Sequence, residues 1–163
     1  MAIAVGASAL VINKKGEILL TQRHDLRTWV FPGGMIAQNE SPERAAIREA
    51  EEETGLKVKI VRLVAVYVND HFLKKTINFF FLAEKIGGKP QRQKGEVLQI
   101  RWVKKQDAAK FLLPRFYQRF QDALATNQQI KLRTSHRFPI PLDKLPSYFW
   151  RRTLGKRLGL VKL

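Results

Sequence analysis

The chain has 163 residues, no cysteine, and 30 Lys and Arg against 14 Asp and Glu, which gives a formal net charge of +16. This length suits one domain with a hydrophobic core. Without cysteine there is no disulfide, no thiolate metal site and no catalytic thiol, which suits a cytoplasmic protein. No apolar run reaches the roughly 18 residues of a membrane span, and the apolar N-terminus lacks the basic region of a signal peptide.

Apolar and β-branched runs predict several strands around one helix. The predicted strands are residues 1–13, 17–23, 58–68, 76–83 and 98–103, and residues 29–31 lead into a glycine turn. Helical spacing follows at 106–112 and 115–125. We expect a tight turn at Phe31-Pro32-Gly33-Gly34, a polar break at Asn69-Asp70 and a loop over 85–94. Strands that alternate with helices in this way indicate a layered α/β domain.

The clearest helix signals lie between residues 41 and 56. Ser41 is a good N-cap, and Pro42 suits the first helical position, where its missing N–H is not needed. Gly55 is suited to the left-handed residue that ends a helix, and Leu56 can fold back onto the last turn. These signals predict a helix of about three turns.

This helix is acidic in a basic protein: six of the 14 acidic residues lie between residues 34 and 56. Glu49, Glu52 and Glu53 are spaced i, i+3 and i+4, so their carboxylates share one narrow arc. Hard cations such as Mg²⁺ or Mn²⁺ prefer converging carboxylates. Arg48 lies one turn before Glu52 and can hold its carboxylate. The alternative is a solvated acidic face with simple i, i+4 ion pairs.

The spacing around this helix resembles the Nudix box. That signature is Gly, five residues, Glu, seven residues, Arg-Glu, an aliphatic residue, any residue, Glu-Glu, any residue, Gly and an aliphatic residue. The matching positions are Gly34, Glu40, Arg48, Glu49, Glu52, Glu53, Gly55 and Leu56. Ala50 departs from the bulkier aliphatic residue of the pattern, and we interpret it as a closer contact between helix and sheet. The resemblance extends from about Ile3 to Asn127.

The resemblance implies an α/β/α sandwich around a mixed β-sheet, with the box as loop–helix–loop. It implies metal-dependent hydrolysis of a diphosphate linkage. The implied catalytic residues are Arg48, Glu49, Glu52, Glu53 and Glu96, and the implied metal ligands are Glu49, Glu52, Glu53 and Glu96. Glu96 is included because many family members use a further carboxylate late in the domain; Asp70 is the second candidate. Gly34 and Glu40 are expected to shape the loop before the helix. No carboxylate is assigned as general base.

The candidates for substrate binding are Arg23, Arg27, Gly33 and Gly34. The two arginines lie just ahead of the box and either meet substrate phosphate or form a solvated rim. Three aromatic residues either stack on a base or belong to the core: Trp29, Phe31 and Phe72. The histidines show no metal-ligand spacing and are treated as surface or hydrogen-bonding residues: His24, His71 and His136.

The C-terminal fifth is distinctly basic, so we divide the chain into a hydrolase domain, 1–130, and a C-terminal extension, 131–163. The extension holds nine Lys or Arg and one acid, Asp143, and so half of the net charge. Residues 134–146 resemble an extended arm because they contain three prolines. Residues 147–163 have the spacing of a basic amphipathic helix. It docks on its own domain or on a second copy in a homodimer, binds nucleic acid, or lies on a membrane surface.

We therefore predict a Nudix-type hydrolase with Mg²⁺ or Mn²⁺ that cleaves a nucleoside diphosphate linked to another group. Small nucleotides, either triphosphates or nucleotide sugars, are the expected substrates. One alternative is removal of diphosphate from an RNA 5′ end, which the net charge of +16 favours. The other is a Nudix-like module that binds nucleotide or nucleic acid without catalysis, which the intact set of carboxylates disfavours.

Overall fold

The computed structural model of the chain describes residues 3–71 and 74–137, and these contain eight strands and three α-helices. The strands are β1 (Ile3–Ile12), β2 (Ile18–Arg23), β3 (Trp29–Val30), β4 (Gly33–Met35), β5 (Leu56–His71), β6 (Lys74–Gly88), β7 (Val97–Val103) and β8 (Lys131–Arg137). The helices are α1 (Pro42–Thr54), α2 (Ala108–Phe111) and α3 (Pro114–Leu124). In this part of the chain no helix is long and apolar enough to cross a membrane.

The strands form one mixed sheet in the order β3-β2-β1-β6-β5-β8, with β4 paired to β1 and β7 paired to β2. Two pairings are parallel, β1 with β6 and β5 with β8. The pairing of β5 with β6 is antiparallel and covers almost the full length of both strands. The mixed sheet predicted from the sequence is confirmed.

Two separate hydrophobic cores lie on opposite faces of the sheet. On β1, Leu10 packs into the core beneath α2 and α3, whereas Ala9 and Val11 pack into the core beneath α1. On β6, Phe80 and Phe81 divide between the same two cores. Successive residues of a strand point to opposite faces, so a sheet covered on both faces is apolar without strict alternation. The predicted α/β/α sandwich is confirmed.

Helix α1 lies close to the sheet because its inner face consists of small side chains. Ala45, Ala46 and Ala50 are fully buried, so the interpretation of Ala50 as a closer contact is confirmed. The Ser41 side chain accepts a hydrogen bond from the Arg44 N–H and begins the helix. Gly55 ends it with φ 70°, a left-handed conformation that glycine adopts without steric cost.

Three local predictions were wrong. Gly33 and Gly34 form no tight turn; both belong to β4 and pair with β1. The predicted break at Asn69-Asp70 lies inside β5. The Asn69 side chain donates to Thr76 and accepts from Ser135, so its polar groups are satisfied by the neighbouring strands. The loop predicted over 85–94 is shorter, because β6 continues to Gly88.

The first residues of the basic extension join the sheet as β8, through a buried acid on α3. The Asp122 side chain is only 1% exposed. It accepts hydrogen bonds from the Tyr67 hydroxyl at 2.6 Å, from Lys131 at 2.9 Å and from Arg133 at 2.7 Å. Burial acts to raise the pKa of Asp122, but these bonds outweigh it and lower that pKa to about 2. Residues 138–163 and Phe72 lie outside the described residues, so the predictions for the arm, the terminal helix and base stacking by Phe72 remain predictions.

We predict that Asp122→Asn lowers the free energy of unfolding at pH 7 by about 2–3 kcal/mol. The reason is that removing one partner leaves two cations without their buried counter-charge. Because the folded pKa of Asp122 is depressed, this stabilisation exists above the ordinary pKa of 3.8 and is lost as the pH falls toward about 2. Urea denaturation of both proteins at several pH values measures it.

Amide hydrogen exchange provides a spatial control for this variant. The amides of β8 should exchange faster in Asp122→Asn, while those of the β1–β6 pairing keep their protection. Equal protection of β8 in both proteins would show that Asp122 does not anchor this strand.

Candidate active site

Arg48 on α1 binds three carboxylates and one backbone carbonyl. Its Nε and Nη2 atoms each lie 2.9 Å from an oxygen of Glu40, in a bidentate pair. Its Nη1 atom lies 2.9 Å from Glu49 and 3.1 Å from Glu52, and Nη2 also donates to the Met35 carbonyl at 3.0 Å. A planar guanidinium with five donors suits such a site. Arg48 therefore fixes the positions of Glu49 and Glu52 relative to β4.

Glu40 has a structural position in this network. Besides the two bonds from Arg48, its Oε2 atom accepts a hydrogen bond from the Ala37 N–H at 3.0 Å. The bond from Arg48 lowers the pKa of Glu40 to about 2. Glu40 thus remains ionised and closes the loop between β4 and α1, as expected from the sequence.

A cleft of about 450 Å³ opens beside α1, and Glu49, Glu53 and Glu96 all line it. The loop that carries Glu96 is attached to the end of α1, since the Gln93 N–H donates to the Glu53 carbonyl at 3.2 Å. The His24 N–H donates to the Glu96 carbonyl at 2.8 Å and attaches the same loop to the end of β2. Glu96, 43 residues beyond Glu53 in the sequence, is thereby brought to the same cleft.

Glu53 is a partly buried carboxylate beside a second one. Burial, and then the charge of Glu49, raise the pKa of Glu53 to about 7. Burial also raises the pKa of Glu49, although its bond to Arg48 opposes the change. Among the described side chains, Glu53 has a hydrogen bond from Thr21 at 3.4 Å but no ion pair. The cleft therefore holds negative charge that the surrounding protein does not fully compensate.

Glu52 is placed differently from Glu49 and Glu53. Its side chain is 49% exposed and lines an adjoining groove with Glu51, Gly55 and residues 91–94. Over residues 3–71 and 74–137, no three acidic or histidine side chains lie close enough together to hold a metal ion. Glu49 lines the cleft with Glu53, whereas Glu52, bonded to Arg48 at 3.1 Å, lines the adjoining groove. The predicted convergence of three carboxylates is thus only partial.

The chemistry of the donors nevertheless fits a divalent cation. Carboxylate oxygens are the ligands that Mg²⁺ and Mn²⁺ prefer. A bound cation would also relieve the repulsion between Glu49 and Glu53 that raises the pKa of Glu53. Glu49, Glu53 and Glu96 are the residues whose side chains already line a common cleft.

Gly33 and Gly34 allow two close approaches in this cleft. A Cβ atom on Gly34 would lie 2.5 Å from the carboxyl atoms of Glu49. A Cβ atom on Gly33 would lie 2.4 Å from the Ala7 carbonyl oxygen and from the Ser8 side chain. Gly34 therefore leaves space for the carboxylate, and Gly33 leaves space for strand β1.

The structure separates the other substrate-binding candidates. Arg23 lines the cleft and forms a bidentate pair with Asp25, at 2.9 and 2.7 Å. Arg27 is exposed and is not among the residues that line this cleft. Phe31 is in the core, and Trp29 packs edge-on against Phe111.

Six residues that line the cleft were not among the candidates from the sequence: Thr21, His24, Asp25, Met35, Gly95 and Val97. His24 was predicted to be a surface or hydrogen-bonding residue; it is exposed and lines the cleft. The available signal was that these residues are close in sequence to the candidates Arg23, Gly34 and Glu96.

Residues 2–124 match the model of the NUDIX domain. A putative 8-oxo-dGTP diphosphatase of Bacillus subtilis is 33% identical over 109 residues, which cover 67% of this chain and 72% of that protein. An RNA pyrophosphohydrolase of Haemophilus influenzae is 45% identical over 65 residues, but these cover only 40% of this chain and 32% of that protein. The shorter match is therefore limited to part of the domain.

The fold also matches that of solved structures. The crystal structure of a MutT protein from Bacillus halodurans aligns with a TM-score of 0.70, covering 83% of this chain and 91% of that chain. At 23% sequence identity, this likeness supports the fold alone.

We predict that Glu53 makes the free energy of unfolding of the metal-free protein fall as the pH rises from about 4.5 to about 7. The folded state keeps the Glu53 proton up to about pH 7, while the unfolded state releases it near 4.5. The folded state therefore binds more protons in this window, and deprotonation costs up to about 3 kcal/mol.

Urea denaturation in a chelator, for wild type and Glu53→Gln, isolates this contribution. The variant should be the more stable protein above pH 7, and the two curves should approach each other toward pH 5. Parallel pH curves for the two proteins would contradict the assignment.

Proposed function

This chain belongs to the Nudix family of pyrophosphohydrolases, and on that basis we propose that it hydrolyses, with Mg²⁺ or Mn²⁺, the diphosphate linkage of a nucleoside diphosphate joined to another group. The observation that carries the proposal is the partly buried, incompletely compensated pair Glu49 and Glu53, which faces a cleft. Enzymes of this family generally use a divalent metal ion. The alternative of a binding module without catalysis is set aside.

We assign the cation to Glu49, Glu53 and Glu96, with Glu52 as a further ligand from the adjoining groove. When bound, a divalent cation neutralises charge on phosphoryl oxygens and lowers the pKa of coordinated water. Arg48 orients Glu49 and Glu52 through the bonds at 2.9 and 3.1 Å. With its pKa near 7, Glu53 is suited to exchange a proton for the cation near neutral pH.

Substrate phosphate is assigned to the neighbourhood of Arg23, Gly33 and Gly34, which line the same cleft as the carboxylates. Arg27 has weaker support because its side chain is exposed outside that cleft. The expected location is the cytoplasm, in agreement with a chain that has no cysteine.

Small nucleotides are the substrates that we propose first. The B. subtilis relative that is called a putative 8-oxo-dGTP diphosphatase matches over most of both chains. An RNA 5′ end is the second candidate. It is supported by the net charge of +16 and by the H. influenzae relative called an RNA pyrophosphohydrolase, although that match spans only 65 residues.

We predict that one substrate class is hydrolysed with Mg²⁺ or Mn²⁺ and that Glu52→Gln lowers its turnover at least about a hundredfold, because the cation loses one anionic ligand. Phosphate and nucleotide release is measured over a panel of (d)NTPs, ADP-ribose, nucleotide sugars, dinucleoside polyphosphates and 5′-triphosphate RNA.

Glu51→Gln provides the matched control for this assay. Glu51 is the exposed neighbour of Glu52 on the same helix, so the variant changes the same charge outside the proposed ligands and should keep its activity. If Glu51→Gln loses as much activity as Glu52→Gln, the loss comes from the change in helix charge and Glu52 is not a specific ligand. If the panel yields no turnover with either cation, the proposed substrates are wrong.

The two glycines should respond differently to alanine. Gly34→Ala should fold with nearly wild-type stability, because its Cβ meets only the movable end of Glu49. It should nevertheless lose about tenfold or more in kcat/KM, because that carboxylate must move. Gly33→Ala should be destabilised by more than about 2 kcal/mol, because its Cβ meets the backbone of β1. Thermal unfolding with kinetics on the substrate found above measures both. Equal effects of the two variants on stability would contradict this account.

A further inference from the structure

Two further cavities lie next to the cleft beside α1. A middle cavity of about 540 Å³ shares Arg23, Gly33, Gly34 and Met35 with the cleft. A far cavity of about 430 Å³ shares Asn69, Thr76, Arg115, Phe116 and Arg119 with the middle one. Because each cavity shares lining residues with the next, the three lie side by side in a row that begins at the carboxylates. Each has a volume typical of a small-molecule site.

The far cavity is basic. Arg115, Arg119 and Arg133 line it together with hydroxyl and amide side chains, and none of its lining residues is acidic. Arg133 and two neighbouring lining residues, Thr134 and Ser135, come from β8. The match to the family covers residues 2–124, so this cavity depends on an element that lies beyond the family match.

Arg119 carries the inference because it is a desolvated cation without an acidic partner. Its Nη1 atom donates to Asn78 at 2.9 Å, and its guanidinium stacks on the Tyr67 ring at 4.4 Å. None of the carboxylates that the structure describes forms an ion pair with it. Burial, together with the charge of Arg115, lowers the pKa of Arg119 to about 10.

A desolvated guanidinium with neutral protein partners is costly unless it meets an anion. The usual solution is visible nearby, where Arg133 pairs with Asp122 at 2.7 Å. Arg119 instead lines both the far and the middle cavity. An arginine with parallel N–H donors is suited to phosphate above other anions.

The middle cavity also has an unsatisfied polar group. The Thr28 hydroxyl oxygen is buried and has no hydrogen-bond partner in the described structure, and Thr28 lines this cavity. A buried hydroxyl without a partner is exceptional in a folded protein, and a ligand in this cavity would supply one. The middle cavity lies between the carboxylate cleft and the basic far cavity, so it has room for a nucleoside between two anionic groups.

We propose that the far cavity binds a phosphate group that the substrate carries in addition to its scissile diphosphate. Arg119 and Arg115 bind that phosphate, and β8 completes the site. This inference rests on the proposed function. The ligand is a nucleotide with a second phosphate on its ribose, either as a free 3′-phosphate or as the first phosphodiester of an RNA 5′ end.

The test compares nucleoside 5′-monophosphates (pN), nucleoside 3′,5′-bisphosphates (pNp) and 5′-phosphorylated dinucleotides (pNpN) for all four bases. Dissociation constants are measured by calorimetry with the full-length protein. Wild type should bind pNp at least about tenfold tighter than pN for one or more bases, because one charge-assisted hydrogen bond provides an affinity gain of about that size. Arg115→Gln and Arg119→Lys should lose most of that preference.

Arg44→Gln is the matched control, because Arg44 is exposed on α1 and lines none of the three cavities. It should keep the preference for pNp. Arg115 is itself exposed, so Arg115→Gln keeps the test valid if Arg119→Lys does not fold.

Equal affinities for pN and pNp with every base would overturn the proposal, as would an equal loss of preference in Arg44→Gln. If pNpN retains the preference, the phosphate belongs to an RNA 5′ end. If only pNp does, it belongs to a small bisphosphate. If the proposed hydrolase function is wrong, the substrate panel shows no turnover, and this result is independent of the binding measurements.

Discussion

The structure depends on holding two carboxylates, Glu49 and Glu53, beside each other with little water. Like charges that are desolvated together destabilise a fold unless a cation or a proton relieves them. Here α1 lies close to the sheet on its alanine face, β4 has no side chains in the way, and Arg48 compensates one carboxylate but not the other. The fold therefore contains a repulsion between these two carboxylates that does not stabilise it. Such a cost is typical of a site kept for chemistry.

The local features of the site could be predicted from the sequence because they depend on residues close together in the chain. The cap at Ser41, the left-handed Gly55 and the pair of Arg48 with Glu52 all act within one or two helical turns. The apolar runs predicted the strands, but the sandwich with a sheet covered on both faces was implied by the resemblance to the Nudix box.

The remainder depends on contacts between distant residues. Whether Gly33-Gly34 turns or extends is decided by β1, and whether Asn69 ends a strand is decided by Thr76 and Ser135. Glu52 shares the helical spacing of Glu49 and Glu53, yet its exposed side chain lines an adjoining groove instead of their cleft, which periodicity does not reveal. Asp122 was not singled out, because its role appears only when β8 brings Lys131 and Arg133 beside α3.

The parallel pairing of β8 with β5 has a consequence for the remainder of the chain. Arg137 pairs with His71, so the chain leaves the sheet at the same end as the hairpin between β5 and β6. The 26 residues after Arg137 in a chain of 163 are thereby tethered to that end of the sheet.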